Sequence, residues 1–238
     1  MNAIILAAGR GNRMKNYTEN SPKCLINFQG KALLEWQIEA LRGAGIKRIA
    51  IVTGYRRELI ASYGLIEFYN DKWAETEMVA SLERGDQWLR SSPCIVSYSD
   101  IWYNKRIVHN LLTANGDIAI AYDPNWLRLW TARFGDPLLD AESFRLSPNG
   151  TLLEIGNKPS SVNEIEGQYM GLFKITPSGW NEIQIVRSNM SLQDRTNLQM
   201  TCTLQKVIEA NRIPIHSVAC HYKWAEFDSP TDLTCLGQ

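Results

Sequence analysis

AIILAAGRGNRM, residues 3–14, followed by Pro22-Lys23, is the stretch that decides how this chain folds. Its apolar beginning, Ala3–Leu6, predicts a buried parallel strand. Small residues follow, and glycine lets the backbone turn sharply and lets a ligand approach the main chain. Successive N–H groups in such a loop form a concave anion site, to which the basic side chains of the stretch add positive charge. The stretch therefore predicts a loop that holds a polyphosphate.

Alternative loop types fit this stretch less well. A plain strand-to-loop turn with solvated basic side chains needs only the glycines, but here the strand, Gly9, Gly11, Arg13 and Lys23 coincide. A P-loop needs a Gly-Lys-Ser/Thr ending, which is missing. A dinucleotide fingerprint needs a third glycine at position 14, which is Met. A phosphate loop of another type remains.

This combination of residues resembles the signature of the bacterial nucleotidyltransferases, which join a nucleoside monophosphate to a phosphorylated acceptor. The resemblance implies in-line attack by an acceptor phosphate oxygen on the α-phosphorus of a nucleoside triphosphate, with release of pyrophosphate. It also implies that Arg13 and Lys23 act in catalysis. The nucleotide would be bound along the loop by Leu6, Ala7, Ala8, Gly9, Gly11, Arg13 and Lys23.

Composition limits the class of protein. The 238 residues suit one large α/β domain or two small ones. The 25 Lys+Arg balance 25 Asp+Glu, so a general nucleic-acid or anionic-membrane surface is not indicated. No apolar run is long enough to span a bilayer, and the amino terminus lacks the order of a signal peptide. We therefore expect a cytoplasmic protein, monomeric or homodimeric, that binds neither nucleic acid nor membrane.

The first half of the chain predicts a β-loop-α-β arrangement with parallel strands and a right-handed crossover. Apolar runs and helical spacing indicate strands at 3–6, 48–52, 65–69, 93–100 and 117–122, and helices at 34–43, 56–63, 76–82 and 104–114. Ligands in open α/β sheets lie outside the carboxyl ends of the strands. Gly54 and Tyr55 follow the second strand directly, so we expect them beside the phosphate loop.

The pattern changes from about residue 123, because Pro and Gly break the chain into shorter pieces. Strands are predicted at 131–135, 144–146, 152–155, 168–175 and 214–218, and helices at 178–187, 200–211 and from Ser229-Pro230 onward. The whole predicts an α/β fold, a Rossmann-like three-layer α/β/α architecture with a mixed, mainly parallel sheet and a small antiparallel acceptor-side extension. We predict a single domain, 1–238, with a nucleotide-binding half, 1–122, and an acceptor-binding half, 123–238.

Two acids are candidates for a metal site, although each also has a plain structural explanation as a residue beside a helix start. Asp100 ends the strand at 93–100, and Asp228 precedes the closing helix. Carboxylate oxygens are ligands that Mg²⁺ takes beside a triphosphate. The nucleotidyltransferases have a similar acidic Asp-Ser/Thr sequence near the end, whose Asp is the second metal ligand. This implies that Asp100 and Asp228 share one Mg²⁺, and we expect their carboxylates to be otherwise unpaired.

A second segment narrows the resemblance. The sequence NDKWA at 70–74, followed by a helix that ends in Ser81-Leu82, is similar to the phosphocholine cytidylyltransferases and their relatives. The similarity implies CTP as the nucleotide. It also implies nucleotide contacts near the start of this helix, from Thr76, Glu77 and Ser81, and at the end of the strand 93–100, from Ser99. Glu77 departs from the pattern, because relatives often have an amide there.

The acceptor side carries weaker signals. GQYMGL at 167–172 and DPNW at 123–126 resemble members that use phosphoglutamine or phosphonates in capsule pathways, and phosphocholine is another candidate acceptor. In the family, a lysine in a Lys-Pro step meets the acceptor phosphate, which implies Lys158 in catalysis, although a solvated loop lysine explains it nearly as well. Further candidate acceptor contacts are Tyr122, Arg133, Tyr169, Gly171 and Glu226. The alternatives are a sugar 1-phosphate nucleotidyltransferase and a non-catalytic nucleotide-binding regulatory module.

Overall fold

A seven-stranded sheet forms the centre of the molecule. In the computed structural model, which describes residues 1–236, the strands are β1 (Asn2–Ala7), β2 (Asn27–Phe28), β3 (Lys31–Ala32), β4 (Arg48–Thr53), β5 (Ile66–Tyr69), β6 (Cys94–Tyr98), β7 (Ile101–Tyr103), β8 (Ile118–Asp123), β9 (Phe144–Leu146), β10 (Leu152–Ile155), β11 (Gln168–Ile175), β12 (Ile215–Ala219) and β13 (Trp224–Glu226). The large sheet has the order β12-β8-β11-β6-β1-β4-β5.

Helices pack on both sides of the sheet. They are α1 (Leu33–Gly43), α2 (Met78–Leu82), α3 (Asp86–Ser91), α4 (Lys105–Thr113), α5 (Trp126–Phe134), α6 (Pro177–Ser188), α7 (Leu192–Thr196), α8 (Met200–Ala210) and α9 (Pro230–Leu236). Short 3-10 turns connect several of these elements, including Asn12–Thr18 and Lys23–Leu25 after β1. Among residues 1–236, no helix is both long enough and apolar enough to cross a membrane.

The sheet is mixed and mainly parallel, as predicted. β1 pairs in parallel with both β4 and β6, and β12 pairs in parallel with β8, whereas β11 runs antiparallel to β6 and β8. The antiparallel extension is also confirmed, because β9 and β10 form a separate hairpin. Strands from both predicted halves of the chain alternate in the one sheet, since β11 lies between β6 and β8.

Two predicted elements are wrong. The segment 56–63 forms two 3-10 turns instead of a helix, and Arg56 before them has a left-handed backbone, φ 50°. The segment 131–135 belongs to α5 instead of a strand. Trp126, Trp130 and Arg133 bury one face of α5 at helical spacing, and this longer period outweighs the local strand preference.

Two hydrophobic clusters hold the site elements together. The larger one surrounds the sheet, whereas the smaller one contains Met14, Ile26, Phe28, Leu33, Ala225 and Phe227. Met14 of the phosphate-loop stretch and Phe227 beside Asp228 are both completely buried in this smaller cluster. Apolar packing therefore ties the loop after β1 to the far end of the chain.

The sheet edge at the end of β4 allows a test of packing. Gly54 directly follows β4, and a Cβ built there would meet the side chain of Trp73 and would be 2.6 Å from the carbonyl oxygen of Ala8 in the loop after β1. We expect Gly54→Ala to lower the free energy of unfolding by about 1–3 kcal/mol, because the backbone of the loop must shift. Urea denaturation followed by circular dichroism measures this.

Gly9→Ala is the matched control, since a Cβ at Gly9 has no atom within 4 Å in the described chain. Its free energy of unfolding should stay within about 0.5 kcal/mol of the wild type. Equal losses for the two variants would contradict the packing of β4 against the loop.

Candidate active site

The loop after β1 has the backbone geometry that the sequence predicted. Leu6, Ala7 and Ala8 are buried, whereas Gly9 is exposed. Gly11 has a left-handed backbone, φ 74°, and a Cβ there would lie 2.8 Å from Cδ of Lys23. Glycine at this position therefore supplies both the backbone turn and the space for the lysine stem.

The end of β4 lies beside this loop. The backbone N–H of Tyr55 donates a 2.9 Å hydrogen bond to the carbonyl of Ala8. The guanidinium of Arg10 lies 5.7 Å from the centre of the Tyr55 ring. Gly54 and Tyr55 thus occupy the place expected of them, at the same sheet edge as Gly9 and Gly11.

Lys23 brings together the two acids that were predicted to share a metal. Its ammonium lies 2.8 Å from Asp100 Oδ2 and 2.6 Å from Asp228 Oδ1, and its side chain is only 9% exposed. The turn that carries Asp100 is fixed from α1, where Gln37 donates to the carbonyls of Tyr98 and Ile101. The expectation that the two carboxylates are otherwise unpaired is wrong, because both contact the same ammonium.

Burial and charge act in opposite directions on the ionisation of these groups. Burial lowers the pKa of Lys23, but the charges of Asp100 and Asp228 outweigh burial and raise it. Burial likewise opposes ionisation of Asp228, yet Lys23 and Arg13 hold the pKa of Asp228 below its usual range. For Glu226, burial and the Asp228 charge win over Arg133 and raise the pKa.

Arg133 is buried behind these acids and was expected to line an acceptor pocket. Its side chain is completely buried, with Nη1 2.7 Å from Glu226, Nε 2.9 Å from Asp232 and Nη2 3.4 Å from Asp228. Asp232 in turn accepts hydrogen bonds from the backbone N–H groups of Asp228 and Ser229, each 2.8 Å long. The guanidinium therefore positions the acids and does not face open space.

All these contacts form one connected ion-pair network centred on Asp228. Arg13 joins it through Asp228 at 2.9 Å and Asp140 at 3.9 Å. The network contains two more acids than bases: its acids are Asp100, Asp140, Glu226, Asp228 and Asp232, and its bases are Arg13, Lys23 and Arg133.

This donor set fits a divalent cation. Within residues 1–236, the buried Oδ1 of Asp100 has no hydrogen-bond partner, while the network has an excess of carboxylates. Carboxylate oxygens are suitable ligands for a hard cation such as Mg²⁺, which usually keeps several waters and takes only one or two carboxylates. The described residues contain no group of three or more His, Cys, Asp or Glu side chains arranged for a metal, which agrees with a site that takes at most two protein carboxylates.

A cavity of about 480 Å³ opens beside the network. Six predicted site residues line it: Arg13, Glu77, Tyr169, Gly171, Glu226 and Asp228. Most of the remaining lining was not predicted from the sequence, and it includes Tyr98, Trp130, Asp140, Glu142, Phe144, Gln168 and Thr201. The cavity is therefore walled by acids and aromatic rings, with Arg13 as the only basic side chain among its described lining residues.

A break in β11 shapes the aromatic wall. The register of β11 against β8 shifts between Tyr169 and Phe173, and Gly171 between them has φ 71°. A Cβ at Gly171 would lie 2.6 Å from Cδ2 of Tyr98, so this glycine makes room for the tyrosine. Tyr98 and Tyr169 then meet edge to face, with ring centres 5.8 Å apart.

Glu142 is an acid of the cavity wall that has no basic partner among residues 1–236. Gln168 fixes its backbone, donating to the Glu142 carbonyl at 2.6 Å, and Thr201 donates weakly to its carboxylate at 3.3 Å. Burial raises the pKa of Glu142, and no basic side chain of residues 1–236 forms an ion pair with it. Glu142 lines the cavity together with Tyr98 and Tyr169.

The predicted contacts to the nucleotide base surround one buried amide. Asn70 is completely buried, and its Nδ2 donates to Thr76 Oγ1 at 2.9 Å and to Ser81 Oγ at 3.0 Å. Glu77 is exposed and immediately precedes α2. Thr76 and Ser81 are thus held by Asn70, while Glu77 reaches the cavity.

The remaining predicted residues lie around the cavity and outside its lining. Lys158 is exposed, and its ammonium donates to the carbonyls of Leu138 and Leu139, just before Asp140. Tyr122 stacks on Phe144, with ring centres 5.0 Å apart, and so supports the wall from behind. Ser99 is buried next to Asp100.

The comparisons with known proteins agree with this geometry. The MobA-like NTP transferase domain matches residues 3–146. The chain belongs to this family. Among the relatives of this NTP transferase, the CTP:phosphoglutamine cytidylyltransferase of Campylobacter jejuni subsp. jejuni is 34% identical over 252 residues, covering 98% of each chain.

Two further likenesses are partial or distant. The choline-phosphate cytidylyltransferase of Streptococcus pneumoniae is 36% identical over 140 residues, which is 57% of this NTP transferase and 60% of that relative. The solved inositol-1-phosphate CTP transferase from T. maritima has a TM-score of 0.77 at 18% identity, covering 99% of this chain and 94% of that chain. At that identity the structural likeness shows the fold alone.

The burial of Arg133 in this NTP transferase generates a stability prediction. We expect Arg133→Met to lower the free energy of unfolding by about 3–5 kcal/mol, because it leaves three carboxylates without their shared cation. Arg133→Lys should retain part of the stability, because the positive charge remains. The rest should be lost, because an ammonium cannot reproduce the planar set of donors of the guanidinium. Urea denaturation at neutral pH measures both variants.

Arg90→Met is the matched control, because Arg90 forms an exposed pair with Asp86 at 2.7 Å within one helix. Its loss should be about 0.5 kcal/mol or less. If Arg133→Met cost no more than Arg90→Met, the view of Arg133 as the support of the acids would be wrong.

Proposed function

We propose that this protein transfers CMP from CTP to a small phosphorylated acceptor and releases pyrophosphate. The observation that carries the proposal is the convergence of Arg13, Lys23, Asp100 and Asp228 at the phosphate loop, beside a cavity of about 480 Å³. Family membership and the cytidylyltransferase relatives support the reaction class.

Each part of the chemistry has a candidate residue. The loop amides at Gly9 and Gly11 and the cation of Arg13 would bind the triphosphate, where charge grows on the leaving pyrophosphate. Lys23 would add its charge there. The acceptor phosphate is already ionised at neutral pH, so its oxygen can attack without a general base, and the site has only to align the two reactants.

Mg²⁺ is the proposed cofactor, with Asp100 and Asp228 as its protein ligands. When bound, it would lower the repulsion between the two anionic reactants and stabilise the charge on the phosphates. Asp232 and Arg133 keep the carboxylate of Asp228 in position for this role. Lys158 stays a proposal for the acceptor phosphate, and Thr76, Glu77 and Ser81 stay proposals for the nucleotide base.

A sugar 1-phosphate enzyme and a non-catalytic nucleotide-binding module are the competing functions. Retention of the complete charged set at the loop argues against loss of catalysis. An acidic, aromatic wall also suits a neutral hydroxylated sugar less well than a cationic group. The proposed acceptor is therefore a phosphate or phosphonate that also carries an ammonium group.

The nucleotide preference is tested by pyrophosphate release. Purified protein with Mg²⁺ is assayed with CTP, UTP, ATP and GTP against phosphocholine, phosphoglutamine, 2-aminoethylphosphonate and glucose 1-phosphate. We expect kcat/KM for CTP to exceed that for UTP by at least about tenfold, because a pocket built to pair a cytosine amino group leaves polar groups unpaired with uracil.

Asp100→Asn should lower turnover by about two orders of magnitude in this assay. This loss would also show that the activity does not come from a contaminating enzyme. Asp194→Asn, an exposed acid on α7, is the matched control and should keep the wild-type rate. Equal rates with UTP and CTP would contradict the preference for CTP. If no nucleotide and acceptor pair released pyrophosphate, the proposed function itself would be contradicted.

Substitution of Glu142 tests whether its carboxylate contacts an ammonium group of the acceptor. We expect Glu142→Gln to raise KM for phosphocholine at least about tenfold and leave KM for CTP unchanged, because a charge-assisted contact contributes about 1.5–3 kcal/mol. The neutral isostere 3,3-dimethylbutyl phosphate should bind poorly to the wild type and show little response to the substitution.

Glu58→Gln, an acid with a 61% exposed side chain, is the control for loss of charge and should behave as wild type. The same comparison of KM values is made with a second cationic acceptor, 2-aminoethylphosphonate, and its neutral isostere propylphosphonate. Equal KM values for cationic and neutral acceptors in the wild type would overturn the assignment of Glu142.

A further inference from the structure

Lys23 occupies the place where a divalent cation would have to bridge the two acids. Its ammonium nitrogen lies 2.8 Å from Asp100 Oδ2 and 2.6 Å from Asp228 Oδ1. Mg²⁺ binds oxygen ligands at about 2.0–2.1 Å. An ion that bridged these same two oxygens would overlap the ammonium, so the two cations exclude each other there, although Asp100 Oδ1 has no hydrogen-bond partner among residues 1–236.

The surroundings of Asp228 leave little room for both the Lys23 ammonium and a divalent cation. Its Oδ1 already accepts from Arg13 Nη2 at 2.9 Å as well as from Lys23, and its Oδ2 faces Arg133 at 3.4 Å. Arg133 is completely buried and is held by two further acids, Glu226 and Asp232. Arg13 has a 68% exposed side chain and contacts Asp228 but not Asp100, whereas Lys23 is the one cation among the described residues that contacts both acids.

The packing of the Lys23 stem decides where a released ammonium would go. The stem runs against Gly11, where a Cβ would lie 2.8 Å from Lys23 Cδ and 3.1 Å from Lys23 Cβ. The stem is therefore held at the loop after β1, so an ammonium released from the acids would stay beside this loop. Its new surroundings would be the anion site of the loop.

We propose that Lys23 and a divalent cation are alternative partners of the Asp100–Asp228 pair, and that Lys23 turns toward the nucleotide phosphates only when the cation has replaced it. This inference rests on the proposed function. Lys23 then has two duties: it holds the two acids together before the cation binds, and it supplies charge to the triphosphate afterwards. The site acquires its full positive charge at the phosphates only when the cation is present.

Mn²⁺ binding without nucleotide tests the exchange independently of turnover. The free Mn²⁺ signal in electron paramagnetic resonance gives the Kd for wild type and for Lys23→Met. We expect Lys23→Met to bind Mn²⁺ about tenfold more tightly, because the competing ammonium is gone. Lys31→Met, which removes an exposed lysine paired with Glu39, should leave the Kd unchanged. Unchanged or weaker binding by Lys23→Met would overturn the proposal.

A second measurement uses the unaltered protein and so does not depend on whether the variant folds. Reductive methylation of lysines is read by mass spectrometry with and without saturating Mn²⁺. We expect Lys23 to be protected without Mn²⁺ and labelled at least severalfold faster with it, while labelling of Lys31 stays constant. Equal protection of Lys23 in both states would contradict the exchange.

The two proposals fail in different ways. If no nucleotide and acceptor pair releases pyrophosphate while Mn²⁺ still exposes Lys23, the exchange stands and the proposed function is wrong. If pyrophosphate is released but Mn²⁺ leaves Lys23 protected, the enzyme activity stands and the exchange is wrong.

Discussion

An excess of negative charge in a half-buried space is the constraint on which the rest of this site depends. Five carboxylates and three cations form one network around Asp228. Two like charges 4 Å apart repel by about 4 kcal/mol at an effective dielectric constant near 20. Such a cluster is stable only if cations are built in among the acids. Lys23 and Arg133 supply two of these cations from buried side chains. The remaining excess of carboxylates fits a divalent cation bound from solution.

The sequence places these cations on elements whose positions are fixed for independent reasons. Lys23 follows a loop whose Met14 is buried with Phe227, next to Asp228. Arg133 lies on the buried face of α5 with Trp126 and Trp130. Apolar burial therefore orients the charges, and the energy of the core offsets the cost of concentrating acids at one point.

Local patterns predicted most of the sheet and the loop, because apolar runs and glycines act over a few residues. The strand at 168–175 and the glycine turn after β1 were found in this way, whereas phosphate binding by that turn stays a prediction. The ion pairs of Arg133 were missed, since its partners lie more than 90 residues away and leave no periodic trace. Glu142 was missed for the same reason: it lies in irregular chain before β9, and only the folded cavity gives it neighbours. Among the missed cavity residues, Tyr98 directly precedes the Ser99-Asp100 step and Gln168 lies in the GQYMGL segment, so both had a usable local signal.

The two substrates of such an enzyme place different demands on the chain. A triphosphate is recognised by backbone amides and one or two cations, so a single short loop after β1 suffices, and a motif can describe it. The cavity proposed for the acceptor is lined by side chains from β6, α5, the segment before β9, β11 and α8, of which β11 and α8 lie beyond the 3–146 match to the family. No short sequence determines their common geometry. The nucleotide side is therefore predictable from a motif, whereas the acceptor must be inferred from the charge and shape of the assembled wall.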